Sequence, residues 1–481
     1  MFGRAARKRI EALEAEVLEL RKLVAELQEK LNRNSANSSQ PPSSDKPWNK
    51  PGRKTAGADK PTAPKGGKAS GKRRKRGGQP GHPGAERDLI PPDQVDSTEN
   101  YFPGNCDGCG GNLPQREGDA EPRRHQVAVL PEIKPKVEEH RCHGVECDGC
   151  GHLTYAILPV TVPPSGFCAR TTALVALCTG DLHLSKRAVQ RFLGTVFHLT
   201  ISLGAIPKME RRVSDALGAP VEEARRHVTE QEVLHQDESG WKEGHGGDRK
   251  AWLWIARTTL VTVFKIARTR SSGVAKQMLK GFCGILVTDR YPGYLFYETL
   301  LRQLCWSHLL RDFQAFAERT GRSAEIGEEL LELGRQMFKW WHKVRDGTIT
   351  HATFRKYMTP VRIRVGELLR ETKRCRNART KATAGEILRL ESALWTFVDI
   401  EGIEPTNNFA EQGIRPAVMW RRVSFGTNST GGSRYVERML TAIATLRQQR
   451  RGVYEYLCDT VQASFEGRQP PSLLPQGRLN P

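Results

Sequence analysis

"HQDESGW", residues 235–241, places two acids after a short β-prone run, "EVLHQ", and just before a Gly-Trp pair. Downstream, "VTDRYPGY" (287–294) ends an apolar run on another acid, and "EPTNNFAEQGIRP" (404–416) carries a third on a segment with the signature of a helix start. Asp237 and Asp289 each follow a strand-like run, so neighbouring strand ends would project both into one crevice. Glu411, behind Asn407 or Asn408 as helix cap, would add a carboxylate from a helix packed on those strands. Converging carboxylates repel one another unless a cation lies between them, and hard oxygen ligands suit Mg²⁺ or Mn²⁺. Two such ions about 4 Å apart serve phosphoryl transfer by activating one oxygen and stabilising another. The chain has 54 acids, so caps and salt-bridge partners are the alternative reading of the same spacing.

The surroundings of these acids set the fold class, a multidomain α+β protein. "WLWIARTTL" and "VTVFKIAR" are rich in branched and aromatic residues and predict adjacent antiparallel strands, and "GILVTD" predicts a buried one. Helical patterns then dominate, from "CWSHLLRDFQAFAER" to "AGEILRLESALWTFV". Upstream, residues 165–228 form a helical domain. There "SKRAVQRFLGTVF" and "SLGAIPKMERRVSDAL" open with Ser185 and Ser202 as caps, and their short basic helices resemble a helix-turn-helix. Lys186, Arg187 and Arg191 are its candidate phosphate contacts.

The 481 residues carry a net charge of +21, which points to a polyanionic partner. Twelve basic residues and a single acid lie between Lys46 and Arg76, including Lys72, Arg73 and Arg74. This stretch belongs to a basic linker, residues 34–100, too polar over most of its length to bury a core and suited to phosphates without sequence readout. Before it, Ile10, Leu13, Val17, Leu20, Val24, Leu27 and Leu31 form a heptad seam over residues 1–33. A helix of that length is marginal alone, so a coiled-coil homodimer is expected. Residues 101–160 hold two CxxC pairs, Cys106/Cys109 and Cys147/Cys150, each followed by Gly. The two-residue gap lets both thiolates face one ion, so a zinc ribbon with a structural four-thiolate Zn²⁺ is expected. Cys142, His125, His140 and His143 are alternative ligands. No apolar run reaches the roughly 18 residues of a membrane span and no signal core opens the chain. No membrane partner is expected, and the chain is read as cytoplasmic.

Several of these segments together resemble a known group. "NSANSSQPPSSD" after a zipper helix, "GGQPGHPG" before CxxC pairs, and "HQDESGW", "TDRYPGY", "CWSHLLRDF" and "PTNNFAEQGIRP" in this order are similar to bacterial insertion-sequence transposases of the DDE type, the IS-sixty-six-type group. The resemblance covers nearly the whole chain. It implies an RNase H-like α/β catalytic core over 229–430 with an all-helical insertion at about 315–395, followed by a C-terminal helix and tail, 431–481. It implies that Asp237, Asp289 and Glu411 are the metal-binding carboxylates, that the N-terminal parts bind terminal inverted repeats of double-stranded DNA, and that small accessory proteins of the same element are partners. It also implies a bacterial, nucleoid-associated location. Gln412 stands where the group often has Arg. His308, Arg311, Arg415, Arg421 and Arg422 are the candidate DNA contacts around the acids. The rival reading is a non-catalytic, zinc-containing DNA-binding regulator, and a nuclease that cuts without joining is a second.

Overall fold

A computed structural model describes residues 88–475 apart from 117, 119, 164, 246 and 247, together with short N-terminal pieces at 16–21, 24, 28 and 38–40. The seam expected over 1–33 lies mostly outside the described residues, as do Lys72, Arg73 and Arg74; residues 16–21 are helical, with Val17, Leu18 and Leu20 exposed. Contacts divide the chain into two units, residues 53–134 and the remainder.

In the larger unit a small hairpin, β1 (Gly144–Glu146) and β2 (Leu153–Tyr155), frames the second CxxC. Helices α1 (Ala169–Gly180), α2 (Lys186–Val196), α3 (Ala205–Ala216) and α4 (Gly218–Thr229) follow. Ser185 caps α2 by accepting the Ala188 N–H at 3.2 Å, and Ser202 accepts the Ala205 N–H ahead of α3 at 3.2 Å. Val175 of α1, Val189 and Leu193 of α2, and Ile206 and Met209 of α3 share a small core of their own.

The central sheet has the order β5-β4-β3-β6-β7. Strands β3 (Val233–Glu243), β4 (Arg249–Arg257) and β5 (Thr262–Ala267) form an antiparallel meander. After the crossover helix α5 (Ser272–Met278), β6 (Ile285–Thr288) and β7 (Arg302–Leu304) join in parallel on the other side of β3. The Val- and Ile-rich runs expected as strands are β4, β5 and β6. They alternate or bury both faces because helices lie on either side.

Between β7 and the last helices the chain is helical: α6 (Trp306–Ala317), α7 (Arg322–Arg345), α8 (His351–Glu371), α9 (Ala378–Leu388) and the short α10 (Thr396–Asp399). Their core, with Trp306, Phe313, Phe354 and Trp395, continues onto Val287 and Leu304 of the sheet. Then α11 (Asn408–Ser424), α12 (Thr430–Gln448) and α13 (Val453–Phe465) close the fold. Helix α11 crosses β3 and β4, and at Gly413 it passes close to the side chains of Ile255 and Arg257.

Helix α12 also solves the problem of an exposed sheet edge. Thr445 Oγ1, Thr441 Oγ1 and Glu437 Oε1 accept the N–H groups of Thr262, Phe264 and Ile266 at 3.1, 3.0 and 2.6 Å. Positions four apart on a helix rise about 6 Å, close to the spacing of alternate strand residues, so one helix face matches one strand edge. The mixed α+β architecture agrees with the class read from the sequence.

Candidate active site

The first acid sits inside a strand rather than after one. Strand β3 runs through Asp237 to Glu243, with Asp237 opposite Ile255 and Glu238 opposite Trp254 on β4. The expected strand end before "DESGW" is therefore corrected: pairing with the long β4 carries the polar residues along. Asp289 directly follows β6, the strand parallel to β3, and Glu411 lies in the first turn of α11.

A buried staple fixes where α11 begins. Asn407 occupies the cap position, yet its side chain does not cap. Its Nδ2 donates to the Gln236 carbonyl at 2.8 Å, its Oδ1 meets His235 Nδ1 at 3.2 Å, and its N–H donates to Cys305 Sγ at 3.2 Å. Burial lowers the His235 pKa to about 4, so the ring stays neutral and shares one proton with the amide. The helix start is thus tied to β3 one residue from Asp237, and Glu411 is delivered one turn later.

The three acids meet electrostatically. Burial raises the Asp237 pKa well above the usual carboxylate range, and the charges of Glu238, Asp289 and Glu411 push it further in the same direction. Asp237 Oδ1 accepts the Glu238 N–H at 2.9 Å, and Asp289 Oδ1 accepts the Tyr291 N–H at 2.9 Å. Each aspartate is therefore held by one oxygen, and the other has no hydrogen-bond partner among the described residues. Glu411 Oε1 is buried and without a hydrogen bond. Unsatisfied anionic oxygens at the meeting point of several carboxylates are what a hard divalent cation requires, so these residues fit one.

His308, in the first turn of α6, places Nδ1 3.7 Å from Glu411 Oε1. Burial lowers its pKa, Arg311 adds to this, and Asp289 and Glu411 oppose it. Cys305, His308 and Glu411 each bring one ligand atom within 4.8 Å of the others. Burial pushes the Cys305 thiol up to about 11, which keeps it protonated at neutral pH and a poor ligand there.

Glu238, the acid next to Asp237, is held at several points. Its side chain is fully buried; Tyr294 donates to Oε2 at 2.7 Å and Arg270 Nε donates to Oε1 at 2.8 Å. Arg302, also buried, supports the Asp289 loop from Nη2 to Thr288 Oγ1 at 3.0 Å. Neither arginine carries a motif signal, because their partners come from distant segments.

Of the candidate DNA contacts, Arg187 and Arg191 on α2 and Arg415 and Arg422 on α11 are exposed. Lys186 pairs with Glu210 at 3.2 Å. Arg311 and His308 face a cavity of about 390 Å³ that also reaches Asp289. Arg421 turns inward, donating to the Gly240 carbonyl and to Ser239 Oγ on β3. Trp241 and Trp254 are packed in the sheet core. Ser39, placed by sequence in a contact-free linker, donates to Glu318 at the end of α6 from its N–H at 2.7 Å and its hydroxyl at 2.9 Å.

The cysteine pairs build local turns. In the smaller unit, Cys106 N–H donates to the Gly111 carbonyl and Gly110 N–H to the Cys106 carbonyl, with Gly110 at φ +72°. Backbone N–H groups of Cys109 and Gly108 lower the Cys106 thiol pKa. In the larger unit, Cys147 and Gly151 (φ +70°) repeat the turn, and the Cys150 N–H donates to the Cys147 carbonyl at 3.3 Å. The Gly149 N–H leads in lowering the Cys147 pKa, followed by the Cys150 thiol and its N–H. In each turn the first cysteine is thus shifted toward the thiolate form. The first pair lies in the smaller unit and the second in the larger. Cys109 and Cys150 are exposed.

The carboxylate pocket and its supporting helices coincide with a known family. The Transposase IS66 family matches residues 165–435, more than half of the chain, and the chain belongs to that family. A family of unknown function, DUF6444, matches residues 3–88. Among curated proteins, the uncharacterized protein y4qI of Sinorhizobium fredii is 24% identical over 247 residues, 47% of this chain and 46% of that protein. The chain thus spans about half the length of this relative. No helix among the described residues is long and apolar enough to cross a membrane.

Proposed function

We propose that this chain is a DDE transposase, which binds the terminal inverted repeats of an insertion sequence, cuts the DNA strand at each end and joins it to target DNA. The nearness of Asp289 and Glu411 to Asp237, on the end of β6 and the first turn of α11, carries the reading, since the charges of both act on Asp237. The sheet order, with three antiparallel strands, two parallel ones and a helix bearing the last acid, supports an RNase H-like core with a helical insertion at about 315–395 that holds α7–α9.

The unbonded oxygens of Asp237 and Asp289 and the Oε1 of Glu411 would hold Mg²⁺ or Mn²⁺. When bound, the metal supplies Lewis-acid polarisation of the phosphate and a lower proton affinity for the attacking oxygen. In the first step a water oxygen bonds to phosphorus at the element end, and the bond to the 3′-oxygen breaks, leaving a 3′-OH and a flanking 5′-phosphate. In the second, that 3′-OH attacks a target phosphodiester and a target 3′-oxygen leaves with the proton. No protein–DNA covalent intermediate is needed. Neutral His308, beside Glu411, is placed to donate to a phosphate oxygen. Exposed Arg187, Arg191, Arg415 and Arg422, the basic segment with Lys72, Arg73 and Arg74, and Arg311 at the cavity would neutralise DNA backbone. Cys106, Cys109, Cys147 and Cys150 would be the four thiolate ligands of a structural Zn²⁺. A homodimer through residues 1–33 and accessory proteins of the same element complete the proposal.

The test is strand cleavage and joining on labelled duplex carrying the inverted repeat that flanks the gene, with Mg²⁺ or Mn²⁺, beside Asp289→Ala. Metal-dependent 3′ nicks and joined product, both lost in the variant, are expected. Tight, specific binding with no cutting under either metal would favour the non-catalytic regulator.

A further inference from the structure

The mouth of the acid pocket contains an arginine that neither the motifs nor the proposed carboxylate triad calls for. Arg270 lies on the loop between β5 and α5 and lines the cavity that reaches Asp289, His308 and Arg311. Its position is over-determined. Nε and Nη2 both donate to Oε1 of the fully buried Glu238. The guanidinium stacks over the Tyr291 ring at 3.9 Å and stands 5.1 Å from that of Trp252. The Tyr291 hydroxyl donates back to the Arg270 carbonyl, while the Tyr291 N–H holds Asp289 Oδ1. Glu238 is itself fixed by Tyr294. A single circuit of hydrogen bonds therefore runs from Asp289 through Tyr291, Arg270 and Glu238 to Tyr294.

Two of the three guanidinium nitrogens are committed to Glu238, and Nη1 has no partner among the described residues. The side chain is one-third exposed, so this edge has access to the cavity. Arg290, on the same wall, differs: its two Nη atoms are paired with Glu386 and with Asp312 at 2.9 Å. A stacked guanidinium with one edge anchored and the other open is pre-aimed, and its planar fork matches phosphate oxygens. Burying Glu238 unpaired would be costly, and here the pair orders a cation next to the place where phosphate charge would build up.

We propose that Arg270 binds the scissile phosphodiester through its free Nη1 edge, and that Glu238 is the positioning residue that aims it. The proposal rests on the strand-cleavage reading above. It gives the acid beside Asp237 a role distinct from holding a cation, and it makes Tyr291 a link between the orientation of Asp289 and that of the phosphate-binding group.

The experiment compares full-length wild type, Arg270→Met, Arg270→Lys and the double variant Glu238→Leu/Arg270→Met on the inverted-repeat duplex with Mn²⁺. Rate of strand cleavage, duplex affinity and thermal unfolding are measured for each. Arg270→Met is expected to slow cleavage about a hundredfold, the scale of losing one preorganised donor to developing charge. Duplex affinity should change by less than about threefold, since many other cations contact the backbone. Arg270→Lys should recover part of the rate, because charge is kept and the fork is lost. The double variant should unfold no earlier than wild type yet stay as slow as Arg270→Met. Recovery of the wild-type rate in the double variant would show that Arg270 serves only to neutralise Glu238, and would overturn the proposal. So would a wild-type rate in Arg270→Met. A wild type that fails to cut with either metal would overturn the enzyme reading itself and this inference with it.

Discussion

The acids around Asp237 and the cysteine turns treat negative charge in opposite ways. At Cys106 and Cys147, thiols are lowered in pKa mainly by N–H groups within three residues, so the turn stabilises the anion. At Asp237, burial and three neighbouring acids disfavour the anion. The first arrangement is local and made by backbone turns. The second is assembled from β3, β6 and α11, and gains most from a cation because its charges are least tolerable without one. Local turns can ready a ligand cheaply, whereas a site for phosphoryl transfer needs dehydrated charge held by a whole fold.

That contrast can be broken at three places. The largest effect is expected for Glu411→Gln, which keeps shape and removes one charge: metal-dependent cleavage should fall by about three orders of magnitude, the several kcal/mol that a metal clamp supplies. Duplex binding measured on the same samples should persist, and a variant that still cuts at the wild-type rate would remove Glu411 from the site.

An intermediate effect concerns stability. Because the folded-state pKa of Asp237 is raised, the folded chain holds its proton more tightly than the unfolded chain. This stabilisation is present below the ordinary aspartate range, near pH 4, and is lost as pH rises through the raised folded value. Chelator-treated protein should therefore unfold at progressively lower temperature over that rise, and Mg²⁺ should suppress the loss. Asp237→Asn should stabilise the chelator-treated protein by on the order of 1 kcal/mol while abolishing cleavage, the usual trade between stability and activity. Destabilisation by Asn at neutral pH would mean that the acids do not repel one another in solution.

The smallest effect is expected at the cysteines. Cys106→Ser should lower the zinc content measured after purification, and leave the unfolding of the central sheet within about a degree of wild type, because the turn stands on local hydrogen bonds. Cys150→Ser, in the other knuckle, should do the same. A large drop in core stability from either would show that the contrast between local and assembled sites is drawn too sharply.

Much of this was legible along the chain. The runs that became β4, β5 and β6 announced themselves by branched and aromatic residues, and Ser185 announced α2 as its cap. Asp237, Asp289 and Glu411 stood out by residue type and context. Less legible was everything held by partners far away. Asn407 has the composition of a cap and acts as a staple to β3, since the N–H groups and carbonyls it meets come from other elements. Arg421 has the composition of a phosphate contact and turns to the sheet. Glu238 alternates off the face of Asp237 by strand geometry, yet is buried and holds Arg270, which lines the cavity at Asp289.

Sequence alone determined the element types, the cysteine turns and the identity of the acids, because hydrophobic periodicity, capping and turn chemistry act over a few residues. Tertiary structure decided that Asp289 and Glu411 lie near enough to act on Asp237, which oxygens stay unbonded, and which arginine has a free edge toward the cavity at Asp289. Those properties depend on burial and on contacts between residues up to some 170 positions apart, as between Asn407 and Gln236. A short window of sequence carries no information about the dielectric or the partners that folding will supply.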